Sequence, residues 1–399
     1  MADPAQQLTV DVHDGDAAAA FFDVRRARVG VALVFAAHGA VYGSFATRIP
    51  WLQDRLGIGP GLLGVALLAP SVGAMAGMPF SSRLIHRYGG RAATRAMIVA
   101  WCLSGALPML APDVPVLFAL LMFYGLTSGM ADVAMNAQAI PVERAAGKSI
   151  MSGLHGMWSV GGLVASGVGV AAAHANLDAR VHLAAVAVVL VTVALIGSAR
   201  LPANLADAAE PAPPHFVRPP RAVVLIGLVA FCALFAETST SDWCAVYLKK
   251  VLDTSAGTAA SAYSAFAFTM VVARLGGDVA VRRFGAVRTV RVCGAIGVAG
   301  GLLVVLAINP LLAILGFAMI GLGVAAVFPL SFAAAGHADA QPARAIAGVA
   351  TIAYGAGIAA PGLIGGIAAA SSLSVSFTVI TALVAVMTLG AKVLAPKAR

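Results

Sequence analysis

Few side chains of this sequence could move a proton or grip a polar solute, and most of them sit in apolar surroundings. The stretch "SGMADVAMNAQ", Ser128 to Gln138, closes an apolar run that reaches back to Val114. It carries Asp132 and, one helical turn later, Asn136. Ser128, Asp132 and Asn136 stand at i, i+4 and i+8, which puts them on one helix face. A carboxylate in apolar surroundings is costly unless something compensates or uses it. His155, in "SGLHGMWSVGG", is the candidate partner. Desolvation and a neighbouring imidazole act on such a carboxylate in opposite senses, which is the balance a proton-loading site needs. Asp132, His155 and Asn136 therefore form a candidate proton-linked cluster. The structural alternative is that Asp132 and Asn136 simply hydrogen-bond to neighbouring helices.

Other polar residues in apolar runs widen the set. Glu237 and Asp242 lie in "ETSTSDW", and Arg48 closes the first apolar run. Glu237 is a second proton-coupling candidate. An Arg48–Asp242 or Arg48–Glu237 pair could lock one mouth of a passage. His38 and Tyr42 at i and i+4 could line a cavity and bond a hydroxylated or aromatic ligand. Trp158 and Tyr354 are further substrate-binding candidates. Enzyme chemistry has no support: HExxH, GxSxG and metal-spaced carboxylate pairs are all missing from the sequence. No cofactor or metal is expected. The glycine run "GAIGVAGG" has neither a preceding strand pattern nor a following lysine, so it reads as helix packing rather than a phosphate loop.

What must position these residues follows from composition. The chain has 399 residues, is 60% hydrophobic and only 11% charged. Its mean hydropathy is +0.92. A soluble protein of this length has too little interior for so much apolar surface. The net charge of +9 lies in short loops between apolar runs, a membrane pattern that argues against nucleic acid as a partner. Cys102, Cys232, Cys244 and Cys293 fall inside apolar segments and read as small packed hydrophobes. The first residues are acidic and lack a signal-peptide pattern.

Apolar segments of spanning length run at about 28–50, 60–82, 92–112, 114–139, 149–173, 180–200, 221–248, 257–280, 289–309, 310–334, 344–370 and 372–394. The sequence thus predicts an all-α membrane protein with twelve spans. Residues 1–27 read as a cytoplasmic tail and 28–200 as a six-helix bundle. The proline-rich 201–220 reads as a cytoplasmic linker, and 221–395 as a second bundle. With the N-terminus inside, 20 of the Lys and Arg residues face the cytoplasm, 5 face out, and Arg274 lies within a span. Both termini are then cytoplasmic. A rise of ~1.5 Å per residue puts Asp132 about 10 Å from the inner end of span four and His155 about 9 Å into span five, at one level.

The halves read as repeats 196 residues apart. "RYGG" at Arg87–Gly90 matches "RFGA" at Arg283–Ala286, "YGL" at Tyr124 matches "IGL" at Ile320, and "WLQDRL" at Trp51 matches "YLKKVL" at Tyr247. Parallel six-helix repeats are a plan of secondary transporters, with substrate bound between the halves. At the same offset Asp132 and Asn136 meet Phe328 and Phe332. The second half is expected to offer a more apolar wall.

The loop "SRLIHRYGGR" after span two resembles the G-x-x-x-D-R-x-G-R signature of the major facilitator superfamily. Arg87, Gly89 and Arg91 fit, while Ser82 and His86 replace the leading glycine and the aspartate. The acidic part appears in "RLGGDVAVRRFG", with Arg274 and Asp278 at i and i+4. The resemblance implies that Arg87, Arg91, Arg274 and Asp278 gate the cytoplasmic ends of the halves. "HGAVYGSFATRIPWLQDRLG", "DVAMNAQ", "SGLHGMWSVGG" and "ETSTSDWCAVYL" resemble a bacterial branch near the fucose:proton symporter family. That family's acid-then-asparagine spacing on span four implies a proton-coupling role for Asp132. The expectation is a monomeric, proton-coupled symporter in the bacterial inner membrane. It would move a small sugar-like or other polar solute by alternating access. Antiport efflux of drugs or metabolites is the first alternative, and a receptor that binds without transporting is the second.

Overall fold

A computed structural model describes residues 23–147, 150–202, 221–336 and 342–395. The tail up to residue 22 and the linker from 203 to 220 lie outside the described residues. The first half holds α1 (Val24–Ala46), α2 (Ile49–Leu56), α3 (Pro60–Ala66), α4 (Ala69–Tyr88), α5 (Gly90–Ser104), α6 (Val114–Ala146), α7 (Met151–His174) and α8 (Ala179–Ser198). The second holds α9 (Arg221–Val251), α10 (Ala256–Phe284), α11 (Ala286–Val305), α12 (Pro310–Val324), α13 (Val327–Gly336), α14 (Pro342–Ala370) and α15 (Leu373–Gly390). Twelve of the described helical stretches are long and apolar enough to cross a membrane.

Local chemistry sets the helix ends. Asp23 accepts from the Arg26 N–H and starts α1 at Val24, earlier than the apolar pattern suggests, so Arg25 and Arg26 are helical rather than tail. Two membrane stretches are each built from two helices, for the same reason. Pro70 and Pro329 have no N–H to give to the carbonyls of Ala66 and Ala325, and the breaks α3/α4 and α12/α13 fall there. α6 continues past Pro141 to Ala146, so helix length alone misjudges the depth of Asp132.

The repeat survives in backbone detail. Gly89 (φ 78°) and Gly285 (φ 78°), equivalent positions, each end one helix and begin the next in a conformation that L side chains rarely adopt. Gly57 and its equivalent Asp253 also share positive φ, 62° and 45°. The equivalent caps Asp113 and Asn309 accept from Val116 and Leu312 at the starts of α6 and α12. Packing repeats too. α1 lies on α7 as α9 lies on α14, α4 on α6 as α10 on α12, and α5 on α8 as α11 on α15.

Two seams join the halves, α7 against α10 and α3 against α14. The halves meet closely at the end that carries Arg48. There a Cβ on Gly64 would lie 2.6 Å from the Pro361 carbonyl oxygen and 2.7 Å from Gly365 Cα. Lys250 forms an ion pair with Asp54, its own repeat equivalent, which places the pair on the pseudo-twofold axis. The halves part toward the end that carries Arg87. Ser71 still donates to the Gly357 carbonyl at 2.8 Å. Further along the same face of α4, Met75 is 58% and Met78 38% exposed, and opposite on α14, Tyr354 is 58% exposed. Along the other seam Gly156 still lies near Leu275, while Gly153 and Gly276 beyond it face open space. The fold is thus a cleft, shut at one end and open at the other.

Candidate functional site

The polar residues of the spans collect at the apex of this cleft, on three levels. Nearest the open end, Asn136 Nδ2 donates to the Asp132 carbonyl at 2.9 Å and to Asp132 Oδ1 at 3.3 Å. One turn of α6 thereby orients the carboxylate, which is half-buried. His155, exposed and on α7, lies within electrostatic reach of Asp132, and its ring meets Phe35 edge-on at 5.3 Å. From α14, Tyr354 comes within electrostatic reach of Asp132 across the cleft. Its ring lies 5.9 Å from that of Phe328, which in turn stands edge-on to Phe332 at 4.5 Å.

At the middle level, Arg274 of α10 is partly exposed. Its Nη2 donates to Glu237 Oε1 at 2.9 Å and its Nη1 to Ser159 Oγ at 2.8 Å. Ser159 in turn donates to the His155 carbonyl at 3.2 Å. Arg274 therefore ties the second half to the first, one turn from His155. Phe328 and Phe332 stand where the first half has Asp132 and Asn136, and the second half also carries the Arg274–Glu237 ion pair. The Arg274 guanidinium turns to Glu237 and Ser159, because a charge within a span needs a partner at its own depth. The Asp278 side chain lies outside those described.

Toward the shut end, Tyr42 donates to Asp242 Oδ1 at 3.2 Å and faces the rings of Trp158 at 6.1 Å and Tyr263 at 6.4 Å. Tyr42 belongs to the first half and Asp242 to the second, so this bond also crosses between them. The pairs Arg48–Asp242 and Arg48–Glu237 do not form. Arg48 donates to His182 Nδ1 and the Leu177 carbonyl, each at 3.1 Å.

His38 is 6% exposed and packed. Its Nδ1 accepts from Trp158 Nε1 at 3.0 Å, which leaves the ring proton on Nε2, 3.4 Å from the Ser128 carbonyl. It stacks on Trp101 at 5.0 Å. The structure therefore uses His38 to hold Trp158, and Trp158 and Tyr42 form the wall. Arg91 Nε donates to the Leu201 carbonyl at 2.6 Å, and the Arg87 guanidinium lies over Tyr88 at 5.4 Å. Both stand at the open end, away from the second half.

Sequence reasoning missed Ser159, Tyr263 and the pairing of Glu237 with Arg274. Ser159 had a signal, since it follows His155 by one turn. Tyr263 had none, because only the fold brings α10 beside α1.

Comparison with known proteins adds family to geometry. The family model of the Major Facilitator Superfamily matches residues 31–361. The chain is 35% identical over 368 residues to the uncharacterized transporter y4wD of Sinorhizobium fredii, covering 90% of this chain and 96% of that one. It is 34% identical over 355 residues to an uncharacterized MFS-type transporter of Yersinia pestis, covering 88% and 91%. Among solved structures, it resembles a mutant of the nucleoside transporter NupG with a TM-score of 0.74 at 11% identity, covering 92% of this chain and 99% of that chain. It also resembles a bacterial homolog of the human lysosomal transporter Spinster in an inward-facing and occupied conformation. There the TM-score is 0.68 at 13% identity, over 92% of this chain and 96% of that chain. At these identities the structural likeness speaks for the fold.

Proposed function

Because the chain belongs to the major facilitator superfamily, we propose that it is a proton-coupled symporter with Asp132 as its proton site. It carries a small polar solute, sugar-like or of similar hydrogen-bonding character, across the bacterial inner membrane. The observation that supports this best is the Asp132 carboxylate at the cleft apex, held by Asn136 on its own helix and faced by His155 and Tyr354. A half-buried carboxylate at the cleft can exchange a proton with the open side. Tyr354, on the other half, moves relative to it if the halves rock. We place the open end in the cytoplasm, since 20 Lys and Arg residues belong to that side and 5 to the other. The conformation is then inward-facing, with both termini inside and the chain acting as a monomer.

In this reading Tyr42, Trp158 and Tyr354 offer aromatic surface and hydroxyls to the solute. Asn136 orients the proton site. His155 passes the proton between Asp132 and the cleft. Glu237, Arg274 and Asp242 tie the halves together and must re-pair as they move. The acid-then-asparagine spacing on α6, which resembles that of the fucose:proton symporters, supports this reading. A cleft shut at one end and open at the other, between two repeats, supports a cycle of alternating access.

Replacement of Asp132 by Asn tests this in liposomes. With one coupled proton and a pH difference of one unit, the wild type should accumulate solute about tenfold. Asp132→Asn should bring the accumulation ratio to unity while exchange of labelled for unlabelled solute continues. Unchanged proton-driven accumulation in Asp132→Asn would remove Asp132 from the mechanism. Proton-driven expulsion of solute from the cell side would replace symport by antiport.

A further inference from the structure

The shut end of the molecule contains a buried cation that no carboxylate balances. Arg48 is 3% exposed. Its two recorded acceptors are His182 Nδ1 and the Leu177 carbonyl. A ring nitrogen that accepts carries no proton, so both partners are neutral. Among the described residues no carboxylate lies within ion-pair distance of Arg48. Those nearby are engaged, Asp178 with Arg180 and Asp54 with Lys250. A buried charge without a counter-charge is a cost that proteins normally remove by pairing.

Beside Arg48 lies a cavity of about 140 Å³ that straddles the two halves. Thr47, Arg48, Trp51 and Asp54 line it from the first half, and Lys249 and Ala256 from the second. Lys249 gives one hydrogen to the Thr254 carbonyl at 3.2 Å and keeps two donors. Arg48 keeps its Nη1 donors. Arg55 and Arg180 stack on Trp51 at 5.3 and 5.9 Å and add to the positive field. The lining thus offers two cations that have no ion-pair partner among the described residues, and its one carboxylate, Asp54, is already paired.

We propose that this cavity binds a small monovalent anion, held between Arg48 of one half and Lys249 of the other, and that the anion stabilises the closed state of this end. The volume suits a halide or a carboxylate of one or two carbons. Asp54 in the lining weighs against anions of higher charge. Arg48 and Lys249 line one cavity only while this end is shut, so the ligand binds that state better and shifts the population toward it. The proposal goes beyond the proton-site reading and does not depend on Asp132.

The test uses purified full-length protein at constant ionic strength, with gluconate as the bulky replacement anion. Chloride and, separately, formate are titrated while Trp51 emission and the melting temperature are followed. The expected result is a saturable response to at least one of them and a rise in melting temperature. Arg48→Gln and Lys249→Gln should each weaken it by about tenfold or more. Trp51→Phe should lose the emission change and keep the thermal shift. Saturation by chloride alone identifies a halide site, and by formate alone a carboxylate site. If Arg48→Gln does not fold, Lys249→Gln decides. A response that never saturates, or one that saturates equally in Lys249→Gln, overturns the proposal. Asp132→Asn should respond as the wild type does, which keeps this result separate from the proton-coupling test.

Discussion

Glu237→Gln is expected to lower the stability of the folded protein by about 2–4 kcal/mol and to stop transport. Removing one partner of a buried ion pair costs about 3–5 kcal/mol, because the other charge is left uncompensated. The side chains of Arg274 and Glu237 are 21% and 18% exposed, so cleft water softens that cost. The pair carries a second duty. Arg274 also holds Ser159 of the opposite half at 2.8 Å, so its direction affects how the halves meet. Stability and transport should therefore separate. The double variant Glu237→Gln with Arg274→Gln leaves no stranded charge and should recover most of the lost melting temperature. It should not recover transport, since the bond from Arg274 to Ser159 is gone. Melting curves of the two single variants and the double variant form the cycle that measures this. Equal melting temperatures for Glu237→Gln and wild type would show that the pair is not coupled in the protein.

Gly64→Trp should leave a folded protein with transport near background. The α3–α14 seam has no room for a side chain at this point, since even a Cβ would approach the Pro361 carbonyl oxygen to 2.6 Å and Gly365 Cα to 2.7 Å. Interiors do not give way to a contact of that kind over backbone, so the seam must open. The halves would then be held apart at the end that the wild type closes. Alternating access fails when one of its two states is removed. Crosslinking reads the change directly. Asp54→Cys with Lys250→Cys puts a thiol pair where the axial ion pair stands, and a short bifunctional reagent should join them readily. Adding Gly64→Trp should abolish the crosslink and leave each thiol more reactive from that side. Transport at wild-type rates in Gly64→Trp would mean that this contact is not part of the cycle.

The class of protein was legible in the sequence because it depends on quantities that add along the chain. Apolar runs of spanning length are such a quantity, and the twelve of them reappear, among the described residues, as twelve helical stretches long and apolar enough to cross a membrane. The repeat was equally legible. It rests on local devices, such as the turn glycines Gly89 and Gly285 and the caps Asp113 and Asn309, and local devices leave local marks. Helix ends were less so, since Asp23 extends α1 and Pro141 fails to end α6. An N-cap can be overlooked as tail, and a proline in a span can be accommodated by the turns around it.

By itself, the sequence determined which side chains needed a partner. Asp132, Glu237, Arg274, Asp242 and Arg48 each carry charge in or beside apolar runs, where charge is expensive, and each was marked by that alone. Tertiary structure decided who the partners are. Arg48 had Asp242 and Glu237 as candidate partners but turns to His182, while Asp242 takes Tyr42 and Glu237 takes Arg274. Helical periodicity fixes the angle of a side chain around its own axis and its height along it. It says nothing of how neighbouring helices are rotated or how far apart they stand. Those are set by close packing, such as the backbone contact of Gly64 with Gly365, which only the assembled halves possess.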